Sequence, residues 1–130
     1  MSVSISSEVG EVLIECGTHI ARWAKTSENG GYAKSPDAAR ARENAWRVLA
    51  HLIIYAEHIK EADLYWKLGQ QAIEEGKPKA EQQRVMTIAG AELREGRQAK
   101  EALEKLLQEC LAEEAGFEAN AAEGKVSEEG

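Results

Sequence analysis

Apolar residues recur at spacings of three and four along most of the chain, with polar residues between them. This period places apolar positions on one face of a helix. Val9, Val12, Leu13, Cys16, Ile20, Trp23 and Ala24 mark such a face, and a first helix is expected over about residues 7–25. Ser6 and Ser7 suit its N-cap, and Ile5 suits a staple on its first turn. A loop follows over residues 26–35, where Asn29, Gly30 and Gly31 tolerate positive φ. Ser35-Pro36-Asp37 then reads as an N-cap, a first-turn proline and an acid near the helix dipole's positive end.

A long second helix is expected over about residues 36–59. Ala45, Val48, Leu49, Leu52, Ile53, Ala56 and Ile59 form its main face, and Trp46, Ile54 and Tyr55 lie off it. A helix apolar on most sides is surrounded by others, so this one reads as the central strut of a core or the seam of a dimer. At Glu61-Ala62-Asp63 the helix either breaks or continues, and a third helical stretch is expected over about residues 62–75. Gly76-Lys77-Pro78 stops that helix. A fourth helix starts near Pro78, and Gly96 suggests a kink or break. A fifth, over about residues 97–115, carries Ala99, Ala102, Leu103, Leu106, Leu107, Cys110 and Leu111 on one stripe. The expected fold is therefore all-α, an irregular bundle of four to five helices. Residues 1–115 form a single helical domain, and residues 116–130 form a mobile acidic tail with little to bury.

Composition agrees with helix. Glu and Ala each occur 21 times in 130 residues, against seven aromatics. Leu68-Gly69-x-x-Ala72 with Gly76 and Ala80 loosely resembles half a tetratricopeptide repeat, as do Gly90, Leu93, Gly96 and Ala102. The copies stand 21 residues apart where that family needs about 34, so ordinary helical hairpins are expected.

Charge removes one class of partner. The formal net charge is −7. Residues 1–60 hold seven charges of each sign, and residues 61–130 hold nine basic and sixteen acidic ones. Nucleic-acid binding rests on a basic footprint, and none is present. The one basic cluster, Arg40, Arg42 and Arg47, is interrupted by Glu43. Cys16 and Cys110 fall on apolar faces and read as buried free thiols, which suits a reduced, cytoplasmic setting. The N-terminal residues lack the pattern of a signal peptide, and the longest apolar run, Leu52 to Ala56, is far too short for a membrane span.

Several arrangements could carry chemistry. His51, Tyr55 and His58 share one side of the second helix at i, i+4 and i+7. Chelation by two histidines of one helix uses a spacing of three or four, so these read as residues flanking a helix–helix boundary. No nucleophile elbow and no phosphate-binding glycine loop is present. Glu8, Glu11 and Glu15 lie at i, i+3 and i+7, from which carboxylates can point at one divalent ion. The segment Glu8-Val9-Gly10-Glu11-Val12-Leu13-Ile14-Glu15-Cys16-Gly17 resembles the first metal-binding helix of the all-α nucleotide pyrophosphatases, the MazG-like family. The resemblance implies a helical, oligomeric protein that holds Mg2+ between an E-x-x-E helix and an E-x-x-D helix, here with Glu8, Glu11 and Glu43. In the second motif Trp46 or Arg47 stands where the aspartate belongs. This alternative is either a metal-dependent pyrophosphatase-like protein or a catalytically dead relic of that fold.

The large aromatics point elsewhere. Trp46, Tyr55, Tyr65 and Trp66 are candidate interface anchors, because such side chains dominate contact energies on partly exposed faces. The favoured function is a small non-catalytic interaction module without a cofactor. It would be a homodimer through its apolar second helix and dock on a protein partner as an adaptor, assembly subunit or inhibitor. Its acidic second half would steer it toward a basic partner surface.

Overall fold

The computed structural model describes the backbone of residues 2–25 and 36–129 and the side chains of residues 7–25 and 37–119. The expected loop with its glycines, the Ser35 cap, and the side chains of Ile5 and Ser6 lie outside the described residues. Among the described residues there are three helices: α1 (Ser2–Ala24), α2 (Pro36–Glu74) and α3 (Lys79–Glu129). The all-α class holds, but the count of four to five helices does not.

The helices run through both candidate break points. At Glu61-Ala62-Asp63 the helix runs through, because Ala62 is buried on its inner face and Asp63 pairs with Lys67 one turn on at 2.8 Å. At Gly96 the helix also continues. This glycine serves close packing rather than a turn: a Cβ placed there would meet Ile59 Cδ1 of α2 at 2.7 Å. The first helix begins at Ser2, ahead of the expected caps at Ser6 and Ser7. The last helix carries on past Ala115 to Glu129, and Phe117 packs on the core.

Two signals read from the sequence hold to the residue. Pro36 opens α2, as its fixed φ and missing N–H favour. Gly76 closes the α2–α3 connection at φ 67°. Its amide donates to the Ile73 carbonyl at 3.1 Å, and the Lys77 amide donates to the Ala72 carbonyl at 3.0 Å. Those two bonds form a Schellman cap, and only glycine enters its left-handed position without strain. The Pro78 carbonyl then accepts from the amides of Glu81 and Gln82, starting α3.

The register follows from cross-helix pairs. Arg40 meets Glu113, His58 meets Glu92, and Gly69 lies against Met86, so α2 and α3 run antiparallel. Glu8 meets Lys100 and Arg22 meets Glu114, so α1 runs parallel to α3. The core lies where all three overlap. Val12, Cys16 and Trp23 of α1 pack with Ala41, Ala45, Val48, Leu52, Tyr55 and Ile59 of α2, and with Leu103, Leu106, Leu107 and Cys110 of α3.

The helices differ greatly in length. At 1.5 Å per residue, α1 spans about 35 Å, α2 about 58 Å and α3 about 76 Å. Ser2 lies six residues before Glu8, so α1 ends near the level of residue 94. Beyond that level, among the described residues, α2 and α3 continue as a two-helix stalk over about residues 60–95. The molecule is a three-helix body with a two-helix extension.

Candidate functional site

Exposed large apolar side chains occur on both parts of the molecule: Leu13, Ile14, Trp46, Ile53 and Ile54 on the body, and Leu64, Trp66, Leu68 and Ile73 on the stalk. The inner seam of the stalk is narrow: Ala62, Gly69 and Ala72 of α2 and Ala89 of α3 are buried, and Gly69 lies against Met86. Small residues there draw the helices together and leave the larger apolar side chains outside. Leu64 is 47% exposed, Trp66 47%, Leu68 41% and Ile73 49%. Two packed helices form one layer, and a domain needs a second layer to cover such residues. Leu68 borders a shallow groove with Ala72, Val85 and the polar chains of Gln71 and Glu81. Trp66 borders another with Asp63, Lys67, Gln70, Gln71 and Glu74.

The four aromatic candidates separate. Trp66 stands on the exposed stalk and Tyr65 is half-buried beside it. Trp46 is 73% exposed on the body, at an apolar groove between α1 and α2 lined by Ile20, Ala24, Arg42, Ala45 and Leu49. Tyr55 is 1% exposed and belongs to the core, so it is no surface anchor of this chain. Burial raises its phenol pKa above the ordinary value, with nearby Glu8 adding to the effect.

The carboxylates expected for a magnesium site do not converge. Glu8 is held by Lys100 at 2.6 Å, Glu43 pairs with Arg40 at 3.4 Å, and Glu11 is exposed. Among the described residues the one group of three potential metal ligands is His58, Glu92 and Glu95. Nor do His51, Tyr55 and His58 act together. His51 Nδ1 lies 3.0 Å from the Arg47 carbonyl, Tyr55 is in the core, and His58 turns to α3.

At the far end of the body a polar network locks the three helices. Glu114 accepts from Arg22 Nε and Nη2 and from the buried Trp23 indole at 2.7–2.8 Å. Glu113 accepts from Arg40 and from the buried Asn44 amide, and Arg47 donates to the Asn44 carbonyl oxygen. The Arg40 hydrogen bond holds the Glu113 carboxyl below its ordinary range against the effect of burial. Burial opposes the Glu114 anion, but the bonds from Arg22 and Trp23 outweigh it, and this carboxyl too is lowered. Glu114 ties α3 to α1 and Glu113 ties α3 to α2, which gives the network a structural role.

No known family, curated protein or solved structure matches this chain. The site must therefore be read from its own chemistry. Neither cysteine offers a nucleophile: burial pushes the Cys16 thiol up to about 11, and burial raises Cys110 as well. Sequence reasoning missed Glu92 and Glu95. Their signal was the Glu-x-x-Glu spacing within α3, which becomes chemistry only when α2 brings His58 opposite it.

Proposed function

We propose that the chain is a non-catalytic helical interaction module that works as a homodimer, paired stalk to stalk. The observation that carries this reading is the single-layered stalk with Leu64, Trp66, Leu68 and Ile73 each about half exposed. Leu64 and Leu68 lie one turn apart on one flank of α2, and Trp66 and Ile73 lie on the opposite flank. A second copy of the same hairpin against the Leu64–Leu68 flank would turn two helices into a four-helix bundle. Charge favours a like partner there. Residues 60–95 carry Lys60, Lys67, Lys77, Lys79, Arg84 and Arg94 against Glu61, Asp63, Glu74, Glu75, Glu81, Glu92 and Glu95, a balance of −1. Two such surfaces meet without net repulsion.

The acidic excess lies elsewhere and suits a different partner. Residues 96–130 hold four basic and nine acidic side chains, a net −5. We infer that the paired stalks leave this end of α3 free to meet a basic protein surface, as an adaptor, assembly subunit or inhibitor would. Association of that kind weakens as salt rises, whereas the apolar stalk pairing does not.

Hydrogen exchange at two protein concentrations tests the dimer. Dilution is expected to speed exchange in residues 60–95 while amides in the body around residues 45–55 stay protected. Exchange independent of concentration throughout the stalk would count against stalk pairing.

A further inference from the structure

His58 lies on α2 at the level where α1 ends and the stalk begins. Its Nδ1 sits 2.8 Å from Glu92 Oε2 and 3.4 Å from Glu95 Oε2. One ring nitrogen thus faces two carboxylates, and in one tautomer it donates to Glu92. A divalent cation placed there instead would take a lone pair from each of the three groups at once.

The geometry points to a binding site for a first-row divalent transition ion, zinc above all, formed by His58 Nδ1, Glu92 and Glu95. Zinc bonds to imidazole and carboxylate are about 2.0–2.2 Å, which sets ligand atoms of a tetrahedral site roughly 3.4 Å apart. The 3.4 Å separation from Glu95 matches that edge, the 2.8 Å separation from Glu92 falls short of it, and all three ligand atoms lie within 4.8 Å of one another. An imidazole with two carboxylates selects ions such as zinc over magnesium or calcium, which take oxygen alone. His58 and Glu92 are half-buried and Glu95 is exposed, so the fourth position opens to water.

The backbone supports this placement independently. Gly96 follows Glu95 directly, and a Cβ there would lie 2.7 Å from Ile59 Cδ1 and 3.4 Å from His58 Cβ. The missing side chain lets α2 approach α3 at the level of the cluster and carries His58 to the carboxylates. Ligands on two continuous helices are held more firmly than ligands on loops. A bound ion would clamp α2 to α3 where the body gives way to the stalk. The inference does not depend on dimer formation, and each can fail without the other.

The test uses the full chain, free of any histidine tag and stripped with chelator, titrated with zinc chloride and separately with cobalt chloride. One ion per chain, a raised melting temperature, and a visible cobalt spectrum of low coordination are expected. The Glu92→Gln/Glu95→Gln variant keeps side-chain size. It removes two of the three ligands, so zinc affinity is expected to fall by at least about 100-fold, the upper end of the loss seen when only a metal site's outer partners are removed. Glu95→Gln alone changes an exposed group and retains the fold, so a loss of affinity there cannot be a loss of structure. No saturable zinc binding up to millimolar concentration would overturn the inference. So would equal zinc binding by wild type and both variants, which would assign the ion to other groups.

Discussion

Gly96 of α3 and Ile59 of α2 touch where no larger residue than glycine fits without displacement: a Cβ on Gly96 would come within 2.7 Å of Ile59 Cδ1. Ile59 is buried and belongs to the core cluster, so its side chain has little room to yield. Gly96→Val should destabilise by about 2 kcal/mol through overpacking. Gly90, two turns earlier in the same helix, has nothing within 4 Å of a Cβ. Gly90→Ala should stabilise by up to about 1 kcal/mol through helix propensity alone. Urea denaturation of the two variants measures both changes, and equal effects would mean that the close approach is absent.

Glu113 and Glu114 make acid stability depend on α3. Both carboxyls are lowered in the folded state from an ordinary value of 4.5. Their stabilisation is therefore complete above about pH 4.5 and is lost as pH falls through the lower folded-state values. Glu113→Gln/Glu114→Gln should cost roughly 2 kcal/mol near neutrality, since it removes charge-assisted bonds at partly exposed sites. The gap between wild type and variant should narrow as pH drops toward 3. A gap that stays constant across that range would show that the charge of these carboxylates is not what matters.

Cys16 and Cys110 should resist thiol reagents in the folded protein. Burial shields both, and with a pKa of about 11 the Cys16 thiolate is scarce at pH 8. A disulfide-exchange assay should show slow labelling that becomes fast in denaturant. Fast native labelling would mean that α1 opens readily from α2 and α3.

Tyr55 has a buried hydroxyl without a hydrogen-bond partner among the described residues. Tyr55→Phe should therefore change stability by less than about 1 kcal/mol, while Tyr55→Ala should cost about 3–5 kcal/mol by opening a cavity. Thermal unfolding of the pair separates ring packing from the hydroxyl.

Local signals in the sequence were legible, and contacts between distant residues were not. Pro36 and Gly76 mark real helix ends because each acts through its own backbone. The core stripe Leu103, Leu106, Leu107 and Cys110 was readable from its period for the same reason. Gly96 misled because glycine serves both turns and close packing, and only the neighbouring helix decides between them. Tyr55 is buried because it continues the run Ala41, Ala45, Val48, Leu52, Tyr55, Ile59 and Ala62 at spacings of three and four, whereas Ile53, expected on the main face, is 53% exposed. The polar network joins residues 69 to 92 positions apart, a distance that no local pattern reports. The exposure of Leu64 and Leu68 was hidden as well, because they continue an apolar period while their covering helix stops short.

Sedimentation equilibrium of wild type and Leu64→Glu/Leu68→Glu bears most directly on stalk pairing. Wild type should have twice the chain mass of 14.3 kDa. The variant should sediment as a monomer with its helix content retained, because both substitutions lie on exposed positions. A monomeric wild type at all accessible concentrations, or a variant that stays dimeric, would contradict association through the stalk.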